Sequence, residues 1–209
     1  MRNPWIQRFA AAVLVFFAAL QTLPARAADE PASDPAAKQI QTFYDALLEN
    51  MKRGKQESLT GRYNKLKPVI EQTFDLPLMT SLAVGPTWAS IPAADQQALI
   101  AAFGRMTVAN YAKNFDTFSG EKFVIDPTVQ VHGTDKVVMS KLVTSGQTVP
   151  FNYRMRQSSG TWKVIDIYLN GFVSELATRR SDFGSTLSSG GAQALVKKIN
   201  ELADNAMKS

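Results

Sequence analysis

The 209-residue sequence contains no cysteine and a single histidine, His132. Without cysteine, the chain has no disulfide, no thiolate nucleophile and no cysteine-ligated metal. One histidine alone falls short of the usual ligand count of a zinc site, and it stands beside Gly133, where a strand is expected to end in water. We therefore expect no metal and no cofactor, so the core must hold the fold together unaided.

Motifs that mark common enzyme classes are missing as well. The sequence has no nucleophile elbow, no phosphate-binding loop and no dinucleotide fingerprint. Ser-Ser-Gly-Gly at 188–191 follows a predicted helix rather than a strand, so we expect it to end that helix. We therefore do not expect an enzyme.

Acidic residues are absent from the first 27 residues, which carry Arg2 and Arg8 ahead of an apolar run at 9–20. A run of twelve is too short to span a bilayer, which takes about 20 residues. Ala25-Arg26-Ala27 matches the small-x-small pattern of a signal-peptidase site. The sequence thus predicts a signal peptide over 1–27 and a periplasmic or secreted protein. The weaker alternative is an uncleaved amphipathic anchor.

Removal of residues 1–27 changes the charge argument. The whole chain has 23 basic and 18 acidic residues, and three of the basic ones lie in the first 27. The remaining chain has 20 basic and 18 acidic residues, a net charge of +2, so no basic footprint for nucleic acid remains. No later stretch approaches 18 consecutive apolar residues. Residues 28–37 combine proline, serine and acids, which predicts a flexible leader.

Helical periodicity begins after the predicted leader. Apolar residues from Ile40 to Met51 form one helix face, and a second helical region is expected to be interrupted or restarted at Pro68. Asp75 suits the N-cap of a short helix that starts at Pro77, and a long helix follows Pro92. These patterns predict a mainly helical N-terminal half.

From residue 121 the apolar period changes to two. Gly or Ser-Gly turns separate four runs, which predicts a four-stranded antiparallel meander at 122–132, 136–144, 148–157 and 161–169. Helical periodicity returns after Gly171, through Phe172, and again after Gly190-Gly191. The predicted fold class is therefore α+β, with C-terminal helices, in one domain over 38–207.

Asp166 is the acid that stands out, because it lies between Ile165 and Ile167 in the most apolar run. A carboxyl group in such a place could act as a base, with Tyr153 as hydrogen-bond donor. Alternatively, Asp166 pairs with Arg154 on the adjacent strand or accepts backbone N–H bonds. We expect the structural role, as a partner of Arg154.

Several motifs together carry a family resemblance. In order and spacing they resemble the MlaC-like family of periplasmic lipid carriers, also called the toluene-tolerance family, over about 36–205. Ile-Tyr-Leu-Asn-Gly at 167–171 and Glu-Leu-Ala-Thr-Arg-Arg-Ser at 175–181 are most similar to its hopanoid-associated HpnM branch. The residues that carry the resemblance are Phe74-Asp75, Gly85-Pro86-Thr87-Trp88, Gln96-Gln97, Phe103, Tyr111, Tyr153-Arg154, Trp162 to Asp166, Gly171 and Arg180.

The resemblance implies a carrier that binds a phospholipid or hopanoid-type lipid in an apolar cavity of the domain and moves it across the periplasm. Its expected partners are an inner-membrane ABC transporter complex and an outer-membrane lipoprotein complex. The alternative is an enzyme on a cone-shaped α+β fold that acts on a polycyclic or steroid-like substrate with Asp166 as base. A periplasmic chaperone or adaptor with an open apolar surface fits less well, because the pattern predicts a closed domain.

Period-two alternation on the third run predicts which side chains line the lipid cavity. Phe151, Tyr153 and Met155 alternate with polar residues, so one register places all three on the same side of the sheet. We expect the cavity to be completed by apolar residues of the helices, namely Met79, Leu82, Phe103 and Met106.

The signal-peptide assignment predicts a mature N-terminus at Ala28 in the periplasm of a two-membrane envelope. N-terminal sequencing of the protein isolated from that compartment tests it. A membrane-bound product that begins at Met1 or Arg2 would show instead that the segment is retained as an anchor.

Overall fold

The computed structural model describes residues 34–208, so the predicted signal peptide and most of the predicted leader lie outside the described residues. Within this range, helices cover one face of an antiparallel sheet. The helices are α1 (Pro35–Arg53), α2 (Leu59–Thr73), α3 (Leu76–Val84), α4 (Ala93–Asn114) and α5 (Glu175–Ala206), with 3₁₀ turns at Gly54–Gln56 and Pro86–Ser90. The strands are β1 (Lys122–Ile125), β2 (Gln130–His132), β3 (Asp135–Val138), β4 (Ser140–Val143), β5 (Thr148–Ser158), β6 (Thr161–Leu169) and β7 (Val173–Ser174).

Helix α1 starts earlier than the apolar period suggests. Asp34 is its N-cap and accepts a hydrogen bond from the backbone N–H of Ala36 at 2.8 Å, and Pro35 suits the first turn. Ala36 and Ala37 are fully buried. The last three residues of the predicted leader are therefore the first turn of α1, because a cap and two small buried side chains leave little for a periodicity search to detect.

Pro68 does not interrupt the second helix as predicted. Helix α2 continues through it from Leu59 to Thr73. Pro68 is exposed, while Leu66 and Ile70 on either side are buried. The carbonyl group that lost its N–H partner, that of Asn64, lies in the exposed part of the helix, where water can hydrogen-bond it. The free energy gained by burying Leu66 and Ile70 outweighs the cost of the helix hydrogen bond that is lost at Pro68.

The predicted cap of the third helix is confirmed. Asp75 accepts a hydrogen bond from the backbone N–H of Leu78 at 3.1 Å, and the backbone N–H of Asp75 donates to the carbonyl oxygen of Val164 at 2.9 Å. The start of α3 is therefore joined to strand β6 through backbone as well as side chain.

The sheet confirms the predicted meander. Strand β5 lies at its centre and pairs with β4 and then β3 along one edge, and with β6 along the other. Outside these, β1 pairs with β4, β2 with β3 and β7 with β6, all antiparallel. Each predicted run therefore neighbours the next one in sequence.

The first two runs are each broken into two strands, which the period alone did not predict. Pro127 has no N–H for a ladder, and Asp126 accepts the backbone N–H of Thr128 at 2.8 Å to form a local turn. The second run breaks at Met139, whose carbonyl oxygen accepts the backbone N–H of Asp126 at 2.9 Å. This single bond keeps the two breaks side by side.

The core lies between the sheet and the helices. Helices α1, α2, α3 and α5 contact β6, and α4 lies behind them against α2, α3 and α5. Among the described residues, none of the helices is both long and apolar enough to cross a bilayer.

The turn before α5 differs from the predicted helical stripe. Asn170 and Gly171 have positive φ values of 52° and 85°, which a helix cannot include. Helix α5 therefore begins only at Glu175, and Phe172 stands on the preceding turn with 80% of its surface exposed. Further along, α5 consists of two helical segments that meet in a kink at Gly191, whose φ is 68°, where the Gly-Gly pair predicts a break.

The expected ion pair between Asp166 and Arg154 is wrong. Asp166 is buried, and its carboxylate accepts hydrogen bonds from the Ser174 hydroxyl at 2.6 Å and from the backbone N–H groups of Ile167 and Leu176 at 2.8 and 3.2 Å. The backbone acceptor role, which was the other structural possibility, is the one adopted. A carboxylate is favoured at a helix N-terminus, so Asp166 anchors the start of α5 to β6.

Arg154 pairs instead with Asp135 on β3. The Asp135 carboxylate is buried and accepts hydrogen bonds from Nε of Arg154 at 2.7 Å and from Nε of Arg156 at 2.6 Å. Both arginine side chains are partly exposed. Hydrogen bonds from Arg156 and Arg154 hold the pKa of Asp135 below its usual range, although its burial acts in the opposite direction.

The Asp166 contacts predict a specific stability pattern. Asp166→Ala should lower the free energy of unfolding by about 2–4 kcal/mol, because charge-assisted bonds are lost and buried N–H groups lose their acceptor. Ser174→Ala, which removes one of the donors and the α5 cap, should cost about 1 kcal/mol. A urea-unfolding double-mutant cycle of Asp166→Ala with Arg154→Ala should give a coupling below about 0.5 kcal/mol. A coupling several times larger would restore the ion pair that we reject.

Asp135 predicts how stability depends on pH. Because its pKa is lowered on folding, its contribution is fully present above the pKa of an unfolded aspartate, about 3.9, and is lost as the pH falls through the lower folded value. Urea unfolding at pH 7 and at about pH 3 should show that the free energy of unfolding falls more for the parent than for Asp135→Asn as the pH is lowered. Equal losses in the two proteins would contradict the assignment.

Candidate functional site

The inner face of β5 supplies the predicted cavity residues of the sheet. Tyr153 and Met155 are buried, and Phe151 is partly exposed and packs against the core. The intervening residues lie on the other face, where their side chains contact Asp135 and Gly171. The predicted alternation is therefore confirmed. The outward-facing residues are Asn152, Arg154 and Arg156.

The helices supply the other four predicted residues. Met79 of α3 and both Phe103 and Met106 of α4 are buried, and Leu82 of α3 is partly exposed. All four belong to, or pack against, the same apolar cluster as the β5 residues. The structure thus brings the seven predicted residues into one interior, and their contact with a lipid stays a prediction.

Aromatic rings connect this interior from sheet to helices. Phe43 of α1 makes edge-to-face contacts with Phe74, Tyr111 and Tyr153 at ring-centroid distances of 5.2, 5.4 and 6.3 Å. Sequence reasoning placed each ring on an apolar face but missed Phe43 as their meeting point. No local pattern carries that information, because the four rings come from four separate parts of the chain.

A small polar group lies inside the apolar interior. The Tyr44 hydroxyl and Ser140 Oγ are 2.5 Å apart, and the Ser140 hydroxyl also donates to the carbonyl oxygen of Phe151. Burial raises the pKa of Tyr44 to about 12, and burial together with Tyr44 raises that of Tyr153 well above its ordinary value. Both phenols are therefore neutral at pH 7 and serve as hydrogen-bonding groups. Sequence reasoning did not single out Tyr44 or Ser140.

The arrangement needed by the enzyme alternative is not formed. Tyr153 faces the helices. Asp166 stands opposite Arg154 in the β5–β6 register, and the Arg154 side chain points outward, so Asp166 lies on the other side of the sheet from Tyr153. The Asp166 oxygens are occupied by the Ser174 hydroxyl and by backbone N–H groups. The proposed base and donor therefore do not face one substrate. His132 is exposed at a strand end, as predicted.

Two open pockets lie at the surface, and the seven predicted residues line neither of them. One, of about 580 Å³, is on the outer face of the sheet beside Arg154 and Tyr168. The other, of about 560 Å³, lies beside the end of α1 and Phe118. Among residues 34–208, no three histidine, aspartate or glutamate side chains come close enough to hold a metal ion.

The end of α3 shows what several motif residues do. Arg180 of α5 donates from Nε and a terminal nitrogen to the carbonyl oxygen of Leu82 at 2.9 and 2.6 Å. Gly85 follows with a φ of 82° and lies against the Arg180 side chain, so a β-carbon there would be both strained and crowded. Gln96 donates to the carbonyl oxygen of Trp88 at 2.9 Å. These residues hold α3, α4 and α5 together.

Comparison with known proteins gives a family match and matches among solved structures. A family model described as "MlaC protein" matches residues 41–201. A phospholipid-binding protein from Ralstonia solanacearum, solved in complex with a phospholipid, has the same fold with a TM-score of 0.73 at 23% sequence identity, and the alignment covers 83% of this chain and 99% of that one. Comparison with curated proteins gives no match.

Proposed function

Because the chain belongs to the MlaC protein family, we propose that it is a periplasmic lipid carrier. It binds a phospholipid or hopanoid-type lipid in the interior between β5 and helices α3 and α4. It then carries the lipid between transport complexes of the inner and outer membranes. The hopanoid branch follows from the resemblance of residues 167–171 and 175–181 alone.

The observation that carries this proposal is the continuity of the apolar interior. Residues of α3, α4 and β5 form one cluster, in a fold shared with a protein solved with a phospholipid bound. A two-chain lipid has roughly 30 methylenes, and at about 0.8 kcal/mol each its exposure to water costs on the order of 24 kcal/mol. A carrier must therefore cover the chains fully, and a continuous interior does so where scattered apolar patches would not.

The flexible side chains of the interior suit a core that must rearrange when a lipid binds. Met79, Met106 and Met155 belong to this apolar cluster and come from three elements. Methionine is unbranched and flexible, so it can fill the core when no lipid is bound and move aside when acyl chains enter. Leu82 and Phe151 are the two predicted residues that reach solvent, and we place the entrance for the chains beside them.

The position of the acyl chains can be tested by filling the interior. The purified parent, extracted with organic solvent and analysed by mass spectrometry, should yield intact lipid. Met106→Trp and Met155→Trp should each lower the lipid-to-protein ratio severalfold, since the larger ring takes the space of the chains, at a stability cost of about 1–3 kcal/mol.

Leu202→Trp is the matched control, because Leu202 is an exposed apolar residue of α5. It should leave the lipid content unchanged, and thermal unfolding confirms that all three variants fold. Unchanged lipid in both methionine variants would show that the chains lie elsewhere. Turnover of an added polycyclic compound, with no lipid extracted, would favour the enzyme instead.

A further inference from the structure

The outer face of the sheet, which points away from the core, forms an open groove of about 580 Å³. Its floor is built from β3, β5 and β6 and includes Asp135, Arg154 and Tyr168. One side is formed by His132 on β2, and the other by Phe172 on the turn after β6. The proposed lipid-carrying interior uses none of these residues.

Phe172 is held outward by a fixed turn. The carbonyl oxygen of Gly171 accepts a hydrogen bond from Asn152 Nδ2 at 3.3 Å, and the backbone N–H of Phe172 donates to the carbonyl oxygen of Leu169 at 3.3 Å. Two residues further on, Ser174 is bonded to Asp166. A phenylalanine that is 80% exposed on a turn anchored at both ends gains nothing from core packing, and its constrained presentation favours binding.

The floor of the groove carries a charge cluster that extends just beyond the groove. Asp135 and Arg154 line the groove, and Arg156, which does not line it, also pairs with Asp135, so these three side chains together have one positive charge in excess. Each guanidinium has five N–H donors, and Asp135 takes only two from each. The Arg154 side chain remains 42% exposed. The buried carboxylate therefore positions two arginines whose other donors are available to an anionic ligand.

The shape of the groove distinguishes among anionic ligands. A flat bilayer would touch the rims, at Phe172, and would not reach donors on the floor. A polypeptide segment can lay carboxylate side chains into the groove and an apolar one against Phe172 and Met139. Arginine, tyrosine, phenylalanine and methionine, which line this surface, are also the residues enriched at protein interfaces.

We propose that this groove docks an acidic, extended segment of a partner protein. Carboxylates of the segment bind Arg154 and Arg156, and an apolar side chain of the segment packs on Phe172. The proposal deepens the proposed function and rests on it in one respect, since a carrier must recognise the complexes that load and unload it.

The partner segment can be identified by photocrosslinking in cells of the source organism. A benzoylphenylalanine introduced at position 172 should crosslink to a protein segment rich in aspartate and glutamate, identified by mass spectrometry. The same group at position 118, an exposed phenylalanine beside the other pocket, is the control and should not capture that segment.

The captured sequence, made as a labelled peptide, then gives the quantitative test by fluorescence anisotropy. Phe172→Ser and Arg154→Gln should each weaken binding about tenfold or more, and rising salt should weaken binding to the parent. Phe118→Ser should bind as the parent does. Phe172 is so exposed that its variant will fold even if Arg154→Gln does not.

Several outcomes would overturn the proposal: equal capture at 172 and 118, capture of lipid or of a second copy of this chain, an acid-poor segment, or undiminished peptide binding by Phe172→Ser. Lipid extraction separates this test from that of the proposed function. Phe172→Ser should retain the lipid content of the parent. If the parent binds the peptide but carries no lipid, the docking role of the groove is supported and the carrier function is refuted.

Discussion

Strand β5 has hydrogen-bonded neighbours on both edges, so its side chains can point only toward the helices or toward the outer face. Tyr153 and Met155 fill the interior, while Arg154 and Arg156 are held on the outside by Asp135. A shift of one residue in its register would bury both arginines and expose the core residues. The packed interior and the groove on the outer face thus both depend on one alternation.

The pairing of β5 with β6 contains one irregularity that explains the burial of Asp166. The register shifts between Arg154 and Met155, so that Arg154 faces Asp166 and Met155 faces Val164. The extra residue, Ile165, has no partner in this register and is buried, as are both its neighbours. A strand that is apolar on both faces in sequence therefore reflects a bulge beneath the start of α5, as well as cover by helices.

Helix faces and the β5 alternation were predictable from sequence because each follows a local period. The hairpin turns, the Asp75 cap and the bend at Gly191 were predictable because each depends on the type of a few adjacent residues. The partner of Asp166 was not, since Ser174 reaches it through a turn whose positive φ values no period reveals.

In the candidate site, the period identified which residues face inward but not which of them meet. Phe43 joins rings from three other elements, and Tyr44 bonds to Ser140, 96 residues away. Such contacts arise from the packing of whole elements against each other, which short-range sequence patterns do not predict. The pairing of Arg154 likewise required knowing that Asp135 lies on β3, the strand that pairs with β5.

Several motif residues fix the elements of the fold, whereas the interior methionines pack in the core. Arg180 and Gly85 hold the end of α3, Asp166 anchors α5, and Arg154 is fixed by Asp135. These motif residues hold the elements of the fold in place. The three methionines of the interior, Met79, Met106 and Met155, lie outside the motifs. Under the proposed function, a lipid contacts side chains of the interior, so the choice of lipid would be set by positions that can vary while the fold is retained.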